Sequence, residues 1–317
     1  MKKIIQFILL IFFIFILSSC NYLKITTCSP IYVMSTAINI KFYNVDDYED
    51  HYKKIEEIYQ NIDKLADDFK KRGSVNNIYD LNELRIIDAD PSLIELINYS
   101  LELKEKTNGY FNPLVGRLTH LWKDFLNNSN NIINDELIKN EIEIINSSSI
   151  EINENKISII GDANIDLGAI AKGYATKKAV EYLKEENVEG YMINAGESTV
   201  ALGKKGDNDF SVILEAPYSK KSIKNLYLKD TSISTSSGKY QNKIIDGVRY
   251  HHIINPFTGY PSNIYDNINV IIDDPLYADC YSTAMFSMDL DLAKEFSKEN
   301  DLSVIFYKDD KIIYEKI

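Results

Sequence analysis

Apolar positions along the chain follow two rhythms, and the places where one gives way to the other divide the sequence into elements. Ile31 to Tyr43 alternates as a strand does, and Asp46 to Lys71 carries the mixed apolar and charged spacing of a long surface helix. Asp90 before Pro91 reads as an N-cap with proline at the first helical position, opening a helix that Asn108 and Gly109 end. After Tyr110 to Pro113 a second helix carries Leu114, Leu118, Leu121 and Trp122. The Asn-rich stretch 126–141 predicts a loop with a short helix, and Ile142 to Ile160 predicts strands that turn at Asn153 to Asn155.

The next stretch organises the chain. Apolar runs at Ile157 to Ile160 and Ile165 to Leu167 break at Gly168, and from Ala171 the residues Ala171, Ala175, Ala179, Tyr182 and Leu183 recur at helical spacing. With a buried strand at Gly190 to Gly196, this predicts a βαβ-like unit. Strands follow at 210–215, 223–228 and 231–235, then a polar turn at Ser236 to Tyr240, and a short strand from Tyr250 into a Pro/Gly loop ending at Pro261. Asp274 before Pro275 starts a helix over 275–288, another helix spans 290–299, and Leu302 to Tyr307 and Lys311 to Tyr314 form a hairpin around Asp309 and Asp310. The pattern predicts an α+β chain, as one large domain or two tightly packed lobes.

The N-terminus stands apart. Met1, Lys2 and Lys3, the apolar run Ile4 to Leu17 and the closing Leu17-Ser18-Ser19-Cys20 have the layout of an export signal ending in a bacterial lipobox. A transmembrane helix is the alternative, but the run is short for a span and lacks a basic stop-transfer flank. The expectation is a leader at 1–19, a lipidated Cys20, a tether over 20–30, and a domain that works outside the cytoplasm, on the periplasmic or outer face of a bacterial membrane. Without residues 1–19 there are 33 basic residues against 47 acidic ones, a charge of −14, which excludes nucleic acid as the partner. Cys28 and Cys280 have no disulfide spacing and are expected as free thiols.

Chemistry enters at the helix start. Lys172 in a first turn is out of place unless an anion binds nearby, Gly168 and Gly173 permit close approach, and Asp166 adds a carboxylate before the break. The same stretch also reads as an ordinary βα turn with a solvated lysine. On the helix after Pro275, Asp279, Ser282 and Thr283 share a face and offer hard oxygen donors that suit Mg²⁺ better than zinc. Equally, a helix can carry Asp near its N-terminus and bond hydroxyls back to its own backbone. His252, in the Pro/Gly loop, is the candidate base, with His251 facing the opposite side.

Several segments in order carry a family resemblance: Met34 to Thr36, Thr107 to Pro113 with Leu121 and Trp122, Asp166 to Gly173, Asn194 to Gly196 with Ala201 to Gly203, Ser236 to Tyr240, His252 to Pro261, and Ala278 to Ala284. Over nearly all of the mature chain the sequence resembles the ApbE family of FAD:protein FMN transferases. The resemblance implies an ApbE-type, T-fold-like single large domain of mixed sheets with packed helices. It implies Mg²⁺ and FAD, with FMN transferred to a Thr or Ser of an exported protein and AMP released; some members instead hydrolyse FAD. Metal ligation would fall to Asp279, Thr283, Ser282 and the Ala169 carbonyl, catalysis to His252 and Lys172, and FAD contacts to Met34, Tyr110, Phe111, Asn112, Asp166, Lys172 and the backbone near Ile253. Phe69 is the nearest candidate for the ring-stacking aromatic. The acceptor motif would resemble Ser/Thr-Gly-Ala-Thr or Ser, which this chain lacks. The chain departs from the family pattern at Asn112, Ala195, Asn255 and Phe257, where Asp, Gly, Asp and a basic residue are usual. An FAD pyrophosphatase, using the same site with water in place of the acceptor hydroxyl, is one alternative, and the lost charges at Asn112 and Asn255 leave a non-catalytic FAD-binding lipoprotein as another.

Overall fold

Where apolar residues alternate, the chain pairs into sheet. Ile25–Thr27 (β1), Ile31–Val33 (β2) and Thr36–Tyr43 (β3) open the fold, and β3 buries Ile38, Ile40 and Phe42 on one face. The computed structural model describes residues 23–129, 132–219 and 221–317, so the expected leader and the lipidated Cys20 lie outside the described residues. Residues 25–27, expected within a tether, instead form β1 and pair with Lys41 to Tyr43, satisfying backbone groups on the outer edge of β3.

Tyr48–Ala66 (α1) buries Ile55, Tyr59, Ile62 and Leu65. Past Ile78–Leu84 (α2) and Ile86–Asp88 (β4), Asp90 caps Pro91–Lys106 (α3) by accepting the Ser92 N–H at 2.8 Å. A short 3₁₀ turn, Pro113–Val115, leads into Gly116–Asn128 (α4), whose buried Trp122 donates its Nε1–H to the Gly259 carbonyl at 2.7 Å. Residues 142–146, expected as strand, are helical. They end Asp135–Asn146 (α5), which buries Ile138, Glu141 and Ile145 at spacings of three and four. The β preference of the isoleucines loses to a helix pinned by Glu141, whose carboxylate takes two nitrogens of Arg117 at 2.8 and 2.9 Å.

Ser149–Asn153 (β5) and Lys156–Ile160 (β6) turn at Glu154 and Asn155 and join β4 in a three-stranded sheet. Ile165 to Leu167 is not the second half of a strand. It is an extended strap whose Ile165 N–H and C=O bond to the Asn82 side-chain amide at 2.7 and 2.9 Å, while the Asp166 N–H reaches the Pro113 carbonyl at 2.9 Å. A side-chain amide satisfies this backbone without a neighbouring strand. Ala171–Glu185 (α6) starts where the sequence predicts, but β6 and Tyr191–Ala195 (β7) lie in different sheets, so the expected βαβ unit does not form.

The remaining elements are Thr199–Leu202 (β8), Phe210–Glu215 (β9), Ser222–Leu228 (β10), Thr231–Ser237 (β11), Asn242–Ile245 (β12), Val248–His251 (β13), Asn267–Ile272 (β14), Pro275–Ser287 (α7), Leu290–Glu299 (α8), Ser303–Lys308 (β15) and Lys311–Lys316 (β16). The main sheet runs β1-β3-β7-β8-β11-β14-β15-β16 with β2 on β3, and its strand pairings are antiparallel. The α+β architecture read from the sequence is the one that forms. One face of the main sheet carries α6 and α7; the other is closed by the β9–β10 hairpin, where Leu214 and Leu226 pack on Ile233, Ile271 and Ile305. Apolar nearly all round, α7 is buried through the middle of the fold. Burial of Met285 and Phe286 there stabilises the fold by about 1.5–3 kcal/mol each.

Candidate active site

α7 and β11 meet face to face, and strand alternation decides what they bring. Ser232, Ser234 and Ser236 of β11 are buried, while Ile233 between them belongs to the opposite face of the sheet. From α7, Asp279, Ser282 and Thr283 answer the serines. Ser234 Oγ donates to Asp279 Oδ1 at 3.3 Å, and Ser236 Oγ lies 2.8 Å from Ser282 Oγ and 3.3 Å from Thr283 Oγ1. Both helix hydroxyls also bond back to the Asp279 carbonyl, at 2.9 and 3.2 Å.

Asp279 ties this pocket to the start of α6. Its Oδ2 accepts the Gly173 N–H at 2.9 Å, and a Cβ at position 173 would stand 2.7 Å from Asp279 Cβ and 3.0 Å from the Pro275 carbonyl. The carboxylate is 5% exposed and has a helix N-terminus and a serine hydroxyl, rather than a lysine or arginine, as its partners. Among the described residues no group of three His, Cys, Asp or Glu gathers as a metal site. The oxygen-only set here would instead suit a hard cation that keeps waters and takes phosphate oxygens, the habit of Mg²⁺. Among the described residues the Ala169 carbonyl accepts the Cys280 thiol at 3.6 Å, a weak bond that leaves a lone pair available. Cys28 and Cys280 are both free thiols, and burial pushes the Cys280 thiol well up.

Beyond the pocket, side chains of mixed charge mark a candidate substrate cleft. His251 and His252 part company at the end of β13. His251 is buried, its Nε2–H donating to the Ser262 carbonyl at 2.7 Å and its Nδ1 accepting the Ile253 N–H at 3.2 Å, and burial lowers its pKa to about 4. His252 reaches solvent, yet protein crowds round it on the cleft wall; that desolvation, with the Lys172 charge next, lowers its pKa to about 4. It is therefore neutral at pH 7. Lys123 and Asp166 act on the same ring with opposite sign. Asp166 is held by the Gly168 N–H at 2.6 Å and the Thr119 hydroxyl at 2.7 Å.

The expected flavin contacts divide. Met34, at φ 50°, donates its N–H to Asp63 Oδ1 at 2.8 Å; Arg72 bridges Asp63 and Asp67, and Asp67 Oδ1 takes the Phe69 N–H at 2.9 Å, so Met34 and the exposed Phe69 ring are parts of one braced rim. Tyr110 is half-buried against Phe257, ring centres 4.8 Å apart. Phe111 is a core residue with its N–H on Thr107 Oγ1 at 3.0 Å, so its side chain packs rather than binds. Ile253 is also buried, its N–H given to His251 and its carbonyl accepting the Ser262 N–H at 3.3 Å.

The departures find local accounts. Asn112 caps the 3₁₀ turn through the Leu114 N–H at 3.0 Å, which an aspartate would do as well. Asn255 accepts the Phe257 and Thr258 N–H groups while its amide donates to the Ser287 carbonyl at 3.0 Å, a bond an ionised carboxylate cannot make. Ala195 is fully buried in β7, and Phe257 replaces charge with an aromatic face on Tyr110. Sequence reasoning missed Ser234 and Ser236, although hydroxyls at every second position of a buried strand were a signal. It also missed Thr119, His120, Lys123 and Asp68.

The chain is similar to characterised proteins along most of its length. A family model described as ApbE family matches residues 34–306. The FAD:protein FMN transferase of Klebsiella pneumoniae (strain 342) is 25% identical over 285 residues, 86% of each chain. The crystal structure of the ApbE protein from Thermotoga maritima shares the fold with a TM-score of 0.79 at 24% identity, covering 90% of this chain and 94% of that one. The flavin transferase ApbE from Vibrio cholerae gives 0.77 at 21% identity, covering 93% and 97%. With its fold shared over nine-tenths of its length and the family model spanning everything from Met34 to Phe306, this chain belongs to the ApbE family.

Proposed function

We propose that this chain is an Mg²⁺-dependent FAD:protein FMN transferase that modifies a Thr or Ser hydroxyl of an exported protein. One observation carries the reading: the first turn of α6 joins an oxygen-only pocket, through Gly173 and Asp279, to a cleft where Lys172 faces a neutral His252. The residues suited to hold Mg²⁺ are Asp279, Ser282, Thr283 and the Ala169 carbonyl; when bound, the ion supplies positive charge that stabilises negative charge on phosphate oxygens. Lys172 adds a second positive charge from the protein, and Asp166 and the Met34–Phe69 rim orient the dinucleotide.

His252 is the base. It accepts the proton of the acceptor hydroxyl as that oxygen bonds to the FMN phosphorus, the P–O bond to the AMP phosphate breaks, and AMP leaves with the electron pair. Desolvation first and the Lys172 charge second make His252 a weak base; an anionic diphosphate placed beside Lys172 offsets the second of these. The setting we propose is extracytoplasmic, with the chain anchored through lipid on Cys20 and the acceptor carrying a Ser/Thr-Gly-Ala-Thr or Ser motif. The test incubates the chain with FAD and Mg²⁺, with and without such an acceptor, and follows AMP together with acceptor mass. AMP with an FMN-sized mass gain supports the transferase. AMP without mass gain on several acceptors replaces it with a pyrophosphatase, and bound FAD without AMP replaces it with a carrier.

A further inference from the structure

Asp68 and His120 form a pair that the reaction above does not use. Asp68 Oδ2 lies 2.6 Å from His120 Nε2, with the carboxylate side chain 9% exposed and the imidazole 34%. The imidazole stacks on Phe69 with ring centres 4.5 Å apart and planes 19° from parallel. Lys123, nearly one helical turn along α4, sets its Nζ 3.9 Å from the centre of the same Phe69 ring. With Nε2 committed to Asp68, Nδ1 is the nitrogen left over, and it has no hydrogen-bond partner among the described residues. An imidazole oriented by a buried carboxylate, its second nitrogen free, is an arrangement that serves hydrogen bonding to something outside the protein. Packing alone would not need it.

The surroundings say what that something is. Asp68 and Phe69 face the ring from the loop after α1, Asp166 from the strap before α6, and Lys123 from its own helix. The Asp68 hydrogen bond, and the charges of Asp68 and Asp166, favour the protonated ring; partial burial and Lys123 oppose it, and the balance lies with protonation. Lys123 also acts on His252, which in turn feels Lys172 most strongly among the charges round it. Positive groups therefore converge on this cleft in a chain of net charge −12.

Resting on the FAD reading above, we propose that His120, oriented by Asp68, donates its Nδ1–H to an anionic oxygen of the dinucleotide diphosphate, so that with Lys123 and Lys172 it forms a three-cation cradle. His120 and Lys123 flank the Leu121–Trp122 pair of α4 and fall outside the motif residues quoted for the family. Its role is grip before chemistry: it holds the diphosphate against the cleft wall.

The test is FAD binding by flavin fluorescence in the presence of Mg²⁺, measured as pH is raised from the ordinary imidazole range upward. Wild-type affinity should weaken as pH rises through that titration. His120→Phe keeps a ring on Phe69 but has no nitrogen; it should bind FAD about tenfold more weakly at the acid end, the worth of one charge-assisted hydrogen bond, and lose the pH dependence. Asp68→Asn keeps a side chain of the same shape but removes the charge, and should move the fall in affinity to lower pH. The proposal is overturned if His120→Phe binds within twofold of wild type at every pH, or if its loss is the same at every pH, as lost packing alone would give. AMP release from the same wild-type samples reports separately on the transferase. Titrating FAD affinity without AMP would keep the cradle and sink the transfer reaction, and absence of FAD binding by the wild type would overturn both.

Discussion

The pocket beneath the start of α6 and the cleft above it are built on opposite plans. The pocket is all oxygen: Asp279, Ser234, Ser236, Ser282 and Thr283, buried or half-buried and bonded to one another across a strand and a helix. The cleft is charged and open, its His252, Lys172, Lys123, His120, Asp68 and Asp166 coming from loops, a strap and two helix faces. Regular elements fix the pocket in place before any ligand arrives, as a site for a hard ion requires. Loops and long side chains leave the cleft able to adjust around a large substrate. Gly173 is where the plans touch, its N–H in the pocket and its neighbour Lys172 in the cleft.

The sharpest way to separate the two is Asp279→Asn. The amide still accepts the Gly173 N–H, so thermal unfolding should change little, while Mg²⁺-dependent AMP release should fall by about 10³-fold or more, the several kcal/mol of transition-state stabilisation that a catalytic ion gives. Wild-type AMP release in that variant would remove the pocket from the chemistry. On the cleft side, His252→Gln should lower the rate of FMN transfer by about 10²–10⁴-fold with FAD affinity nearly kept, since a base acts in the transition state. A loss confined to KM would make His252 a binding residue instead.

Joining the regions is a stability matter. Gly173→Ala pushes a methyl into Asp279 and the Pro275 carbonyl and should cost about 1–3 kcal/mol, read as a lower denaturant midpoint with an unchanged slope. An unchanged midpoint would mean that α6 and α7 can slide apart freely. The gentlest comparison is between the paired histidines. His251 has a folded pKa of about 4 against about 6.5 unfolded, so between these values the unfolded chain binds more protons, and stability should fall as pH drops from about 6.5 to 4. His252 acts in the same direction. Denaturant midpoints measured down this range should therefore decline, and the decline should shrink in His251→Gln; a flat profile in the wild type would place His251 in a wetter environment than its 1% exposure allows.

Helices with caps were legible because a cap is local: Asp90 and Asp274 accept the N–H two residues on, and both helices start where their Asp-Pro pairs predict. The isoleucine-rich stretch 142–146 misled because β-branched residues favour strand locally, while the ion pair that holds α5 comes from Arg117. The strap at Ile165 misled for a related reason. Its hydrogen-bond partner, Asn82, lies 83 positions away and is a side chain rather than a strand.

Sequence by itself determined the α+β class, the places where the capped helices begin, the helix face shared by Asp279, Ser282 and Thr283, and the opposition of His251 to His252, because each follows from a period or a cap within a few residues. Tertiary structure alone decided that β11 would supply Ser234 and Ser236 opposite that face, that Asn255 would spend its amide on Ser287, that Phe111 and Ile253 would be buried, and that Asp68 would orient His120 across 52 positions. Those contacts depend on which strand lies beside which helix and how a loop folds back, and no local spacing encodes a neighbour that the chain reaches only after it has folded.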